Sequence, residues 1–239
     1  MPRPIRRCCG LNNLGVILSL ETSTFFCSVA IHQQGQLLAS SHLHVAQATA
    51  SQLSVMIDQV CKLVGCSAKQ LDAVAVSAGP GSYTGLRIGV ATAKGICYGI
   101  AKPLIAVPTL EVMAGQMAAY NPTNAWLCPM LDARRMEVYC QLFDATLQPH
   151  SHVEAKIVEV GSFETELNRH SIMFFGNGAA KCREVITHPA ATFVDGVHPS
   201  ADKMGELAFV LWSEGRVQDL ATYEPYYLKD FVAKTAQAK

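Results

Sequence analysis

Charge is scarce in this chain. Asp, Glu, Lys and Arg make up 16% of its 239 residues, against about a quarter in an ordinary soluble domain, and the two signs cancel to a formal net charge of zero. No broad basic stripe is present; the densest cluster is Arg3, Arg6 and Arg7 at the very start. An independent nucleic-acid binder would carry more positive charge, and a net charge of zero permits self-association and gives little electrostatic steering. Long apolar runs are missing as well. None approaches the roughly 20 residues of a membrane span, and the stretch 15–20 is too short for a signal-peptide core and runs into Glu21. The nine cysteines are scattered, none in a C-x-x-C pair, with Cys8 and Cys9 adjacent; they read as free buried thiols of a reducing compartment. What is plentiful is apolar residue, 50% of the chain, enough for a sizeable core. The expectation is a soluble cytoplasmic protein without a membrane partner, with residues 1–13 as a short irregular tail.

Familiar catalytic signatures are also missing. Residues 77–89, SAGPGSYTGLRIG, lie between an apolar run (71–76) and a helix-like segment (86–100). A P-loop would need a Gly-Lys-Ser/Thr after Gly79 or Gly81, for the lysine that reaches the outer phosphates, and there is none. A nucleophile elbow around Ser82 would need glycine at 80, where Pro80 stands. No cysteine sits in a helix-start and base pattern that would make a reactive thiolate. His42 with His44, and His150 with His152, alternate as surface pairs rather than converging as metal ligands, which need helical i, i+4 spacing. Glycine at these positions still allows close backbone approach, and Thr84 is placed to cap a helix starting near Gly85, whose N–H groups could meet an anion. Plain strand-to-helix packing remains the other reading.

A repeat is present. Residues 15–40 and 125–150 each hold an apolar strand ending at an acid, Glu21 or Asp132, then a polar turn, a second strand (26–32 or 137–143), a turn and a short third strand. Aligning the acids also aligns Cys27 with Val138 and Gln33 with Asp144. Both read as three-stranded meanders. Apolar residues at helical spacing mark 46–64 as a helix, a short strand is expected at 103–107, and Thr109 is placed to cap a further helix with Glu111 in its first turn. The order βββαβα, followed by a second meander, predicts a duplicated α/β fold of the actin-like, sugar-kinase-like class, with two subdomains at 14–108 and 109–221 and a segment 222–239 returning toward the first. In that fold two acids at strand ends face a central cleft.

The stretch AVAVSAGPGSYTGLRIGVATAKG, together with ILSLETST, PLIAVPTLEVMA, LDARRMEVY, FFGNGA and EPYYLKDFVA in that order, resembles the TsaB family of bacterial tRNA threonylcarbamoyladenosine biosynthesis proteins. The likeness runs from about residue 16 to 233. It implies the same two-subdomain fold. It also implies a scaffold that activates a paralogous transferase, TsaD, with an ATPase, TsaE, in the assembly, tRNA reached indirectly through the complex, and a self-dimer when TsaD is absent. No catalytic residue, metal ligand or cofactor is expected on the isolated chain; ATP or ADP with a divalent metal is a candidate for the complex interface.

The residues agree with a non-catalytic reading. Kinase-like members carry glycine just after each acid so that backbone N–H groups face phosphates; here Glu21 is followed by TST and Asp132 by ARR. The catalytic paralogue uses helix histidines for metal, and the segment AQATASQLSVMI has none, with Thr49 where many relatives have one. Candidate nucleotide-side residues are Glu21, Gly79, Gly81, Asp132, Gly176 and Gly178. The candidate partner interface is the helix pair carrying Leu53, Met56, Ile57 and Val60 on one helix and Leu86, Gly89 and Ala93 on the other, because its apolar arc is wider than one core stripe needs. The competing reading is an ATPase or small-molecule kinase of the same fold.

Overall fold

The computed structural model describes residues 15–45 and 48–229; the tail expected at 1–13 lies outside them. Two five-stranded sheets share one topology. The first has β1 (Val16–Glu21), β2 (Cys27–Gln33), β3 (Gln36–Leu43), β4 (Ala73–Gly79) and β5 (Leu104–Pro108) in the order β3-β2-β1-β4-β5. The second has β6 (Trp126–Asp132), β7 (Glu137–Cys140), β8 (Glu154–Ile157), β9 (Ile172–Phe175) and β10 (Ala191–Val194) in the order β8-β7-β6-β9-β10. In each the first three strands pair antiparallel, and the last two add parallel on the other side of the first. Glu21 and Asp132 both end the central strand of their sheet, opposite Ser28 and Val138. This is the duplicated actin-like, sugar-kinase-like architecture.

The two meanders differ in their third strand. The repeat predicts β7 to run through residue 143, with β8 directly after it. Instead β7 stops at Cys140, and Phe143 makes only isolated bridges to Leu127 and Pro149. The cause is Asp144, whose Oδ1 accepts from the amides of Thr146 at 2.8 Å and Gln148 at 3.0 Å. That side-chain turn postpones the third strand to Glu154–Ile157.

Strand β1 is buried along its whole length because both faces of its sheet are covered. Alternate residues point opposite ways: Val16, Leu18 and Leu20 pack with Leu53, Met56 and Val60 of α1 (Thr49–Val64) and Val90, Ala93 and Cys97 of α2 (Tyr83–Ile100). Ile17 faces the other side, against Met204 and Ala208 of a C-terminal helix, Ala201–Ser213. That helix therefore covers the first sheet, so the chain returns to the first lobe at residue 201, earlier than the expected 222. Gly205 permits the contact, since a Cβ there would lie 2.0 Å from the His32 ring. Helix α3 (Thr109–Ala118) joins the lobes: Leu110, Met113 and Met117 pack with Leu127 and Phe175 of the second sheet, and Val112 with the first. Thr109 is its first residue rather than its cap, and Pro108 precedes it with no side-chain cap bond. In the second lobe the crossover between β8 and β9 holds only the single-turn α4 (Glu164–Leu167), which makes the Ala201–Ser213 helix α5.

No helix among the described residues is long and apolar enough to cross a membrane. The described cysteines are all free thiols, buried except Cys61; burial pushes Cys27 up to about 12 and Cys66 and Cys97 up to about 11.

Candidate functional site

A cleft of about 960 Å³ opens where the lobes meet. The β1–β2 turn (Ser23, Thr24, Phe25) and the start of α2 (Ser82 to Gly85) line one wall, the β6–β7 turn (Asp132 to Arg135) lines the other, and Tyr226 to Lys229 close a third side.

The glycine-rich loop meets its own protein. A Cβ at Gly81 would lie 2.4 Å from the Ser23 carbonyl oxygen, one at Gly85 2.1 Å from that of Thr22, and one at Gly89 2.2 Å from the Thr22 hydroxyl. Glycine at i, i+4 and i+8 thus lets the β1–β2 turn lie directly on α2. Hydrogen bonding agrees. The Ser82 amide donates to the Ser23 carbonyl at 2.6 Å, and the Gly85 amide donates to the Ser82 hydroxyl at 3.3 Å. Ser82, not Thr84, is the cap, and α2 begins at Tyr83. Donors that would face a phosphate at a helix start are partly spent on the neighbouring turn. Gly79 has another duty: its φ of +105° suits glycine, and a Cβ there would lie 2.6 Å from the Tyr226 carbonyl oxygen. The Tyr226 amide in turn donates to the Ala78 carbonyl at 2.7 Å.

The second lobe repeats the device, which the sequence reading did not connect. Gly176 and Gly178 come at the end of β9 as Gly79 and Gly81 come at the end of β4, and β9 and β4 are topological equivalents. A Cβ at Gly176 would lie 2.3 Å from the Met130 carbonyl oxygen, and one at Gly178 2.8 Å from the Leu131 carbonyl carbon. Gly176 and Gly178 seat their loop on the end of β6, as Gly81 seats its loop on the turn after β1, while Gly79 meets Tyr226. Of these four glycines only Gly81 lines the cleft.

The two acids do not form a matched pair. Glu21 is fully buried and does not line the cleft. Its Oε1 accepts from the Ser23 amide at 2.6 Å, while Oε2 has no partner among the described residues. Burial raises its carboxyl from the ordinary 4.5 to about 6, against the lowering effect of the hydrogen bond from the Ser23 amide. Asp132 does line the cleft, but its Oδ1 holds the Lys181 ammonium and accepts from the Arg134 amide at 3.1 Å. Lys181 also donates to the Glu137 carbonyl at 2.7 Å. An internal cation thus neutralises the one strand-end acid of the two that faces the cleft. Where a phosphate turn would place glycine, Arg134 and Arg135 adopt positive φ of 72° and 49°. Lys181 and this arginine turn were not singled out from the sequence; the ARR after Asp132 was visible, its left-handed backbone was not. Among the described residues no three His, Cys, Asp or Glu side chains converge as a metal would require.

Most of the expected interface residues face inward. Leu53, Met56 and Val60 belong to the core under α1, Leu86 and Ala93 are buried beneath α2, and Gly89 is closed by Thr22. The 53-56-60 spacing is the core stripe itself. Ile57 is partly covered. The outward apolar residues of this helix pair are Val55 and Leu63 (72% exposed) on α1 and Tyr98 (83% exposed) on α2, beside Gly95 and Gly99, which have open space around them.

Residues 43–237 match the family model described as TsaD: tRNA N6-adenosine threonylcarbamoyltransferase. The tRNA threonylcarbamoyladenosine biosynthesis protein TsaB of Haemophilus influenzae is 30% identical, over 90% of this chain and 94% of its own length. The chain belongs to the TsaB family. The TsaB protein of Escherichia coli is 28% identical over 91% of this chain and 96% of its own. A Pseudomonas aeruginosa crystal structure, of a protein described as similar to the peptidase YeaZ, has the same fold, with a TM-score of 0.79 at 24% identity, covering 90% of this chain and 100% of that one. TsaB-family membership makes this chain a component of tRNA threonylcarbamoyladenosine biosynthesis.

Proposed function

We infer that this TsaB-family chain is a non-catalytic subunit that docks onto a TsaD-like transferase and activates it, with a TsaE-like ATPase joining the assembly and tRNA engaged through the complex. One observation carries the reading. The positions from which this fold grips a triphosphate are occupied from within, by the Thr22–Ser23 turn lying on Gly81, Gly85 and Gly89 and by Lys181 on Asp132. A catalytic site needs preorganised donors aimed at developing charge, and here two of them, the Ser82 and Gly85 amides, bond to the protein. The outward side of the α1–α2 pair, with Val55, Leu63 and Tyr98 around open glycines, is the docking face of this reading. It serves TsaD in the complex and a second copy when the chain is alone. A nucleotide and a divalent cation belong, on this account, to the joint surface with TsaD.

The competing reading, an ATPase or small-molecule kinase, draws on the size of the cleft, which has room for a nucleotide. Turnover of ATP separates the two. The pure chain should be silent, and addition of the TsaD-like and TsaE-like subunits should bring turnover. Robust turnover by the chain alone, lost on Glu21→Ala, would establish the enzyme instead.

A further inference from the structure

The β6–β7 turn carries an imbalance of charge that docking does not use. Its two acids are already paired, Asp132 with Lys181 and Glu137 with Lys229. Arg134 and Arg135 stand exposed in the cleft lining and form no ion pair among the described residues. Successive non-glycine residues at positive φ are strained, and the strain here holds two guanidinium stems on one tight turn at the cleft.

The cleft also continues. A second hollow of about 430 Å³ shares Tyr83, Tyr227 and Lys229 with it and adds Arg87 and Lys94. Aromatic rings accompany the cations along this path. Phe25, 47% exposed, lines the first hollow and packs on Phe26, with ring centroids 4.1 Å apart. Tyr83 and Tyr227 meet at 4.9 Å at the junction, and the Arg87 guanidinium lies 5.4 Å from the Tyr83 ring centroid. Besides the paired Asp132 and Glu137, the opposing charges along this path among the described residues are Glu224 in the second hollow and Asp219 near Lys94.

We propose that these two adjoining hollows form one groove for a short single-stranded RNA segment, with its phosphodiesters on Arg134, Arg135, Arg87 and Lys94 and its bases on Phe25 and the Tyr83–Tyr227 pair. Cations that follow a backbone, interleaved with stacking rings, are the chemistry of single-strand binding without sequence preference. Double-stranded RNA presents its phosphates on a rigid helix and hides its base faces, so it does not fit. A metal–triphosphate is not required, which is compatible with the occupied phosphate positions described above. The choice of RNA as occupant rests on the chain's place in tRNA modification. The neutral overall charge makes this a local, weak site, suited to holding a strand that a larger assembly delivers.

The test uses the full purified chain alone, a fluorescein-labelled 12-nucleotide single-stranded RNA, and anisotropy across a salt series. Binding should be saturable at low salt, with affinity falling as salt rises at a log–log slope of about −2.8 for four neutralised phosphates. Arg134→Gln with Arg135→Gln keeps the stems and removes the charges. It should flatten the slope by about 1.4 and leave the melting temperature unchanged, while Phe25→Ala should weaken binding about tenfold. Duplex RNA of equal length and polyglutamate should compete poorly. No saturable binding at low salt, an unchanged slope in the double variant, or equal competition by polyglutamate would overturn the proposal. Because the assay contains no partner subunit, its failure leaves docking untouched; conversely, the double variant should still co-purify with the TsaD-like subunit, and failure of the wild-type chain to do so would count against the docking reading instead.

Discussion

Substituting alanine for Gly85 and, separately, for Gly95 tests the packing argument within a single helix. Both residues lie in α2, and in each case alanine gains up to about 1 kcal/mol of intrinsic helix preference. Their surroundings are opposite. The new Cβ at Gly85 would lie 2.1 Å from the Thr22 carbonyl oxygen, whereas nothing lies within 4 Å of the position at Gly95. The oxygen belongs to backbone held by its own bonds: the Thr22 amide donates to the Ser77 hydroxyl at 3.2 Å, and the Ser23 carbonyl next to it accepts from Ser82 at 2.6 Å. Relief therefore means moving the helix or the turn, an overpacking cost of about 1–3 kcal/mol. Gly85→Ala should lose about 2 kcal/mol and Gly95→Ala should gain about 0.5–1 kcal/mol. For a chain of this size about 1 kcal/mol moves the melting temperature by roughly 2–4 °C, so the two variants should melt roughly 5–12 °C apart, read by circular dichroism. Variants that melt within about a degree of each other would refute the idea that α2 is pinned to the turn.

Other expectations follow from the same structure. Replacing Met56, buried at 5% exposure, by Asp should unfold the chain. Leu63→Asp, at a site 72% exposed, should leave the melting temperature within about 1 °C, as surface changes do, and still weaken co-purification with the TsaD-like subunit; an unaffected complex would remove α1 from the docking face. Gly95→Ala should stabilise the chain yet weaken the same complex, because its methyl group enters the docking surface. Glu21 should make stability depend on pH. Its folded value of about 6 lies above the ordinary 4.5, so the folded state binds the extra proton and stability from this group falls as pH rises between those values. Comparing urea unfolding of the wild type with Glu21→Gln, the wild type should lose about 1.5 kcal/mol relative to the variant between pH 4.5 and pH 7; parallel stabilities would show that the carboxyl is solvated.

The duplication was legible because its signal is local. An apolar strand that stops at Glu21 or Asp132 and turns within a few polar residues can be read from the order of residue types alone, and the paired topology bears it out. The place of β8 was not legible, since the Asp144 turn that delays it resembles any other polar connection. The helix pair shows the same limit. Apolar residues on α1 at 53, 56 and 60 and at 55 and 63 look like one wide arc, and only packing against Leu18 and Leu20 assigns the first set to the core and leaves the second outside. The glycines after β4 were visible as a cluster, but what lies opposite them is the Thr22–Ser23 turn, more than fifty residues away in the chain. Lys181 reaches Asp132 across a similar separation. Non-local contacts of this kind decide whether an acid at a strand end is free to hold a ligand or already neutralised.

Calorimetric titration of the isolated chain with magnesium–ATP tests the central claim most directly. With the turn seated on α2 and Asp132 held by Lys181, no saturable heat should appear up to millimolar nucleotide. A saturable, magnesium-dependent isotherm that disappears in Asp132→Asn would show that the cleft grips a triphosphate after all.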